Sequence, residues 1–176
     1  MNAIVIYKSK YGSTKQYAEW IGEALSCPVQ EAKSVSAKDL ETYDTLIYGG
    51  GLYGEVINGV HLITKNMEKL RGKKIAVFTT GITPLKYREY YDKMVIEKNF
   101  KEGIPSEIRV FNFLGKMVLK ELSVPHRAAL KTLKKIMQGK ENPSEMEKLL
   151  IELCDADGDF SDKAAIDALL EYVNAK

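Results

Sequence analysis

Tyr7-Lys8-Ser9-Lys10-Tyr11-Gly12-Ser13-Thr14 joins a short apolar run, residues 3–7, to a segment of helical period, residues 14–25. Hydroxyls, a glycine and a helix N-terminus in that order suit an anion. Exposed N–H groups and the helix dipole attract it, and Ser or Thr oxygens add hydrogen bonds. The same residues also suit plain helix capping with Ser13 at the N-cap, and both readings stand. The stretch is neither G-x-G-x-x-G nor G-x-x-x-x-G-K-[ST], which disfavours a dinucleotide or nucleoside-triphosphate loop.

Outward from this stretch, three more apolar runs read as buried strands: residues 45–49, 74–80 and 107–113, with 29–32 as a weaker fifth. Unbroken apolar character, without alternation, marks strands covered on both faces. Between them lie helical patterns over 14–25, 60–70 and 87–99. Strand and helix alternate, which predicts an α/β fold with a parallel sheet and helices on both faces. The last third reads as helices over 119–137, 143–153 and 162–173, with Ser161 as the final N-cap. Residues 1–176 are expected to form a single domain, with a helical, basic elaboration at about 114–160.

In an open α/β sheet, ligands sit outside the carboxyl ends of the strands. Two further loops fall there: Gly49-Gly50-Gly51-Leu52-Tyr53-Gly54-Glu55, and Thr79-Thr80-Gly81-Ile82-Thr83-Pro84. Consecutive glycines let a flat ligand approach the backbone closely or permit φ > 0. Three small-residue loops at one sheet edge predict a site.

Strand, S-x-x-G-S-T at a helix start, G-G-x-x-Tyr-Gly-Glu, then T-T-G: this order resembles the flavodoxin family over roughly the first 113 residues. Within it, Tyr-x-Ser-x-Tyr-Gly-x-Thr, seen here from Tyr7 to Thr14, resembles the flavodoxin-like group of bacterial menaquinone-dependent protoporphyrinogen oxidase. The resemblance implies a three-layer flavodoxin-like sandwich with a five-stranded parallel sheet in the order 2-1-3-4-5, and FMN as cofactor. It implies that Ser9, Lys10, Tyr11, Gly12, Ser13 and Thr14 form the phosphate loop. It assigns Gly51, Leu52, Tyr53 and Gly54 to one isoalloxazine loop, with Tyr53 stacking on the ring. Thr80, Gly81, Ile82 and Thr83 would form the other. It further implies that the peptide at Gly54 turns with flavin redox state, Glu55 lying beside it. Lys10 departs from the T-x-T-G-x-T loop of the electron-shuttle flavodoxins.

Composition narrows the function classes. The 176 residues carry 26 Lys+Arg against 24 Asp+Glu, a net charge of +2, with 45% hydrophobic residues. That excludes wholesale disorder and gives no sign of a nucleic-acid partner. It also departs from the acidic habit of shuttle flavodoxins. Cys27 and Cys154 stand apart from each other and from any Cys/His cluster, so they read as reduced thiols of a cytoplasmic protein, with no metal. The start of the chain reads as a strand, with no signal peptide, and no apolar run is long enough to span a membrane. His61 and His126 read as surface or packing residues, the alternative for either being a proton donor near a flavin. Asp155-Ala156-Asp157-Gly158-Asp159 reads as an acidic turn, its glycine misplaced for a calcium loop.

From Lys116 to Lys140, seven cations face one acid, Glu121, and interleave with apolar residues. This is either the solvated face of a packed helix or a peripheral contact with an anionic membrane or substrate. The expected function is flavin-mediated electron or hydride transfer, as in protoporphyrinogen-oxidase-type flavodoxins, with a redox partner protein or a quinone or porphyrinogen substrate. A non-enzymatic electron carrier and a flavin-dependent quinone or NAD(P)H reductase are the alternatives. No catalytic acid or base is assigned.

Overall fold

The computed structural model describes residues 2–101 and 103–175. Met1 and Lys176, the ends of the expected domain, and Glu102 lie outside the described residues. The chain runs β1 (Ala3–Lys8), α1 (Ser13–Leu25), β2 (Val29–Glu31), α2 (Ala37–Glu41), β3 (Thr45–Tyr53), β4 (Val56–Ile57), α3 (His61–Thr64) and β5 (Lys74–Gly81). Then follow α4 (Ile96–Asn99), β6 (Ile108–Leu114), β7 (Lys116–Met117), α5 (Val124–Gln138), α6 (Glu145–Leu153), β8 (Gly158–Asp159) and α7 (Asp167–Asn174).

The strands β2, β1, β3, β5 and β6 lie side by side in that order, all parallel. Counted among the five parallel strands alone, this is the expected order 2-1-3-4-5. The two-residue β4 adds a sixth strand, antiparallel to the end of β3. A separate antiparallel pair, β7 with β8, stands outside the sheet.

Successive residues of a strand point to opposite faces, and here both faces are buried. Ile4, Ile6, Leu46, Tyr48, Ile75 and Val77 pack with Leu40, Ile63, Tyr91 and Phe100 on one side. Val5, Ile47, Ala76, Phe78 and Phe113 pack with Tyr17, Ile21, Leu169 and Val173 of α1 and α7 on the other. Neither core includes a residue of α5 or α6.

Several helices differ from the sequence reading. Helix α1 begins at Ser13, so Gly12 takes the N-cap and Ser13 is its first residue. The helix expected over 60–70 breaks into α3 and a 3₁₀ turn, Met67–Leu70. Asn66 sits between them and turns its side-chain amide back onto the Leu62 carbonyl at 2.9 Å, the competition with the backbone that shortens helices at Asn. The helix 119–137 also divides: a 3₁₀ turn, Leu119–Glu121, precedes α5, with Ser123 extended and Pro125 in the first turn. At the C-terminus Asp162, rather than Ser161, caps the helical segment by accepting from the Ala164 N–H at 2.9 Å.

Candidate functional site

The first, third and fourth loops meet above the carboxyl ends of β1, β3 and β5. Register explains the meeting: Gly51 on β3 lies opposite Thr80 on β5, and β1 flanks the other side. Thr14 Oγ1 and Thr80 Oγ1 share a buried hydrogen bond of 2.7 Å. A Cβ on Gly51 would stand 3.5 Å from Thr14 Oγ1 and 3.3 Å from Tyr53 Oη. The missing side chain at 51 therefore gives these two side chains their room.

The rest of the glycine run has another explanation. A Cβ on Gly49 would fall 2.1 Å from Phe78 Cζ, and one on Gly50 would fall 2.7 Å from the Asn58 carbonyl oxygen. Those two positions admit protein, not ligand. Packing against protein, rather than an opening onto a flat ligand, accounts for Gly49 and Gly50.

In the first loop, Gly12 has φ +96°, a conformation that costs a side-chain-bearing residue strain. Ser9 Oγ accepts from the Gly12 N–H at 3.1 Å. Ser13 Oγ accepts from the Lys116 N–H at 3.0 Å, so it does not cap its own helix. Among the described residues no side-chain cap bonds the N-terminus of α1, and its first-turn amides keep the character of an anion seat. The Lys116 side chain adjoins it, its Cε 3.8 Å from where a Gly12 Cβ would be, while the Lys10 ammonium donates to Ser123 Oγ at 3.2 Å. This donor set suits a phosphate monoester.

Between β3 and β4 the chain turns through Gly54-Glu55, with Tyr53 paired to Val56. Gly54 has φ +61° and Glu55 is not in the positive-φ region, which is the II′ form whose first position favours glycine. Tyr90 Oη donates to the Gly54 carbonyl at 2.7 Å, and Asn99 Nδ2 donates to the Glu55 carbonyl at 2.6 Å. Leu52 pairs with Ile57, and Gly81 packs on Leu52. Ile82 is half-buried and Thr83 buried, the Thr83 carbonyl accepting from Tyr91 Oη. Burial pushes the Tyr53 and Tyr90 phenols up to about 12.

Three residues at this edge were not assigned to the site from sequence: Ser123 was not singled out, His126 read as a surface or packing residue, and Lys116 read as the start of the basic stretch. His126, Ser123 and Lys116 come from the last third, and no local signal marks them. Tyr11 Oη lies 2.7 Å from His126 Nδ1 and 3.2 Å from Ser123 Oγ. The Tyr53 ring lies 4.8 Å from the imidazole, centroid to centroid. The N-terminal turn of α5 thus lies against Tyr11 and Tyr53. Burial raises the Tyr11 phenol, but bonds from Ser123 and the Lys10 charge outweigh it and hold the group below its ordinary value. Burial first, and Lys10 second, hold the His126 imidazole below its ordinary range.

A doubly covered parallel sheet with an anion seat after its first strand defines a nucleotide-type α/β protein. The chain belongs to the flavodoxin-domain family, whose model matches residues 4–144. No curated protein matches it. Among solved structures it is similar to a flavodoxin from the domain Archaea, at 19% identity over 88% of this chain and 97% of that one, TM-score 0.45. It is likewise similar to two-electron reduced Megasphaera elsdenii flavodoxin, at 17% identity over 88% and 99%, TM-score 0.46. Oxidised Flavodoxin 1 from Bacillus cereus shares 21% identity over 64% and 83%, TM-score 0.44. Family membership makes FMN the cofactor and flavin redox electron transfer the chemistry. No helix among the described residues is long and apolar enough to cross a membrane.

Proposed function

We propose that the chain is an FMN-dependent oxidoreductase of the protoporphyrinogen-oxidase type, cytoplasmic, which meets a quinone or an anionic substrate beside α5. Ser9, Lys10, Tyr11, Gly12, Ser13 and Thr14 hold the phosphate in this reading, with Lys116 adding charge. The ring is held between Gly51, Leu52, Tyr53 and Gly54 on one side and Thr80, Gly81, Ile82 and Thr83 on the other. Bound FMN supplies one- or two-electron chemistry at ring N5, while the protein supplies binding, orientation and tuning. Residues 1–176 act as one unit, a reading supported by α7, which follows the elaboration and packs with α1 in one core.

The observation that carries this reading is the position and surface of α5. It starts against Tyr11 and Tyr53 and leaves Val124 70% and Ile136 59% exposed. Its cations sort into two groups. Lys134 is paired with Asp155, and Lys140, just past the helix, with Glu147. Arg127, Lys131 and Lys135 make no ion pair among the described residues, and the helix contains no acid. Exposed apolar side chains between unpaired cations suit an anionic bilayer surface.

Turnover of protoporphyrinogen with menaquinone, followed by porphyrin fluorescence, tests the activity. Porphyrin formation is the expected result, and flavin-loaded protein without turnover points to a carrier. Flotation with vesicles containing anionic lipid tests the surface: salt-sensitive binding is expected, and its absence rejects the membrane contact.

A further inference from the structure

Binding a flavin requires no histidine, yet His126 stands at the contact between α5 and the first loop. Its hydrogen bonding is directional. The Ser123 N–H donates to Tyr11 Oη at 3.2 Å, and Lys10 Nζ donates to Ser123 Oγ at 3.2 Å. The phenolic proton then goes to the shorter contact, His126 Nδ1 at 2.7 Å, which sets a neutral imidazole carrying its proton on Nε2. Lys10 and Tyr11 face the imidazole from the loop and Tyr53 faces it from the end of β3. Arg127 follows it on its own helix, and no carboxylate pairs with it among the described residues. Burial and Lys10 both oppose a charge here. A negative charge arriving beside Tyr11 and Tyr53 would be the first to favour one.

We propose that His126 is the proton store of the flavin site: its Nδ1 takes up a proton when FMN is reduced and releases it when the flavin is reoxidised. The proposal rests on FMN lying against Tyr11 and Tyr53. Two electrons from an external low-potential reductant and one proton give reduced flavin with a proton on N5 and one net negative charge in the ring. The second proton, which N1 would otherwise bind, comes from solvent and remains on His126. The Tyr11 proton then turns to Ser123 Oγ, and Tyr11 Oη accepts from the imidazolium and from the Ser123 N–H. On reoxidation the two electrons pass to the acceptor, the N5 proton leaves with them or to solvent, and the His126 proton returns to solvent.

The chain has two histidines, and His61 is exposed, which makes it an internal reference. The test is a pH titration of the histidine C2–H resonances in the FMN-loaded full chain, oxidised and dithionite-reduced, with H126Q for assignment. Reduction is expected to tighten proton binding at His126 at least tenfold and to leave His61 unchanged. Over that window the two-electron potential should fall by an additional ~30 mV per pH unit, the value of one tenfold step for such a couple, and H126Q should remove the additional slope. Equal His126 titration in both redox states, or the slope persisting in H126Q, overturns the proposal. Flavin loading is read first from absorbance near 450 nm. A chain that takes up no FMN overturns the site reading as well, whereas a loaded chain with an unresponsive His126 overturns the proposal alone.

Discussion

Tyr90 Oη holds the Gly54 carbonyl at 2.7 Å, tying the β3–β4 turn to the π-helical turn Tyr90–Val95, which leads into α4, across 36 positions of sequence. A peptide that turns its carbonyl toward a protonated N5 must first leave this donor. One neutral hydrogen bond is worth about 1 kcal/mol net, or roughly 20 mV for a two-electron couple. Tyr90→Phe is therefore expected to raise the flavin potential by about 20 mV in a potentiometric titration. Gly54→Ala adds roughly 1–2 kcal/mol of left-handed strain at φ +61° and should also move the potential. Unchanged potentials in both variants would reject a redox-linked turn.

Among the described residues, Thr14 and Thr80 have only each other as side-chain hydrogen-bond partners. Thr14→Val leaves Thr80 Oγ1 without its partner, at a cost of about 1–3 kcal/mol, and deletes a phosphate-side hydroxyl. FMN affinity should fall tenfold or more, as read by flavin fluorescence quenching, with a lower apo-protein Tm. A double-mutant cycle with Thr80→Ala should show coupling between the two sites.

In the proposed reading Lys116 acts on the phosphate through charge alone. Lys116→Gln should weaken FMN binding severalfold at low ionic strength, with the difference shrinking as salt rises. A deficit that is independent of salt would assign Lys116 a packing role instead.

The two glycines Gly50 and Gly51 should behave differently. A Cβ at 50 meets backbone 2.7 Å away, so Gly50→Ala should cost about 2–3 kcal/mol or more and lower the Tm with or without flavin. At 51 the neighbour is the tip of Tyr53, which can swing aside. Gly51→Ala should leave the apo Tm nearly unchanged and reduce FMN affinity.

Acid should loosen α2 and α6 first. In each a serine N-cap and a carboxylate three residues on satisfy one another, Ser36 with Asp39 and Ser144 with Glu147. The Ser36 backbone bond holds Asp39 below the usual carboxylate range, and the Lys140 bond does the same for Glu147. Because folded-state values are lowered, this stabilisation is present above the unfolded-state values and disappears as pH falls through the folded ones. Urea midpoints of wild type and Glu147→Gln, which removes the titrating carboxylate, should therefore differ at pH 7 and converge at acid pH.

Residues 3–7, 45–49 and 74–80 were legible as strands because both faces of the sheet are covered, which leaves unbroken apolar runs with no alternation to misread. The strand ends were less so. Gly50 and Gly51 read as loop yet extend β3, because pairing with β5 overrides their low strand propensity. One helix interruption came from a single side chain, Asn66, that competes for a backbone carbonyl, and Asp162 took the N-cap expected of Ser161. At the site, Ser9 through Thr14 carried a local pattern, whereas His126 carried none. Its role follows from α5 leaving the sheet's layers and returning over Tyr11, a long-range placement that no window of sequence encodes. The basic stretch likewise looked uniform until tertiary pairing removed Lys134 and Lys140 from its free charge.

Gly115 lies so close to the first loop that an added Cβ would fall 2.8 Å from Ser13 Oγ, and its N–H and carbonyl are engaged by Gly81 and Phe160. The backbone between β6 and β7 is consequently a fixed spacer whose length is set by the loop beneath it. Insertions should be tolerated in the exposed stretch between α5 and α6, where residues 139–142 cover neither core. A single added residue at 114–116 would instead shift Lys116 out of register with Ser13 and carry α5 away from the flavin edge. The chain can lengthen its outer helices without disturbing the seat, provided this one junction keeps its count.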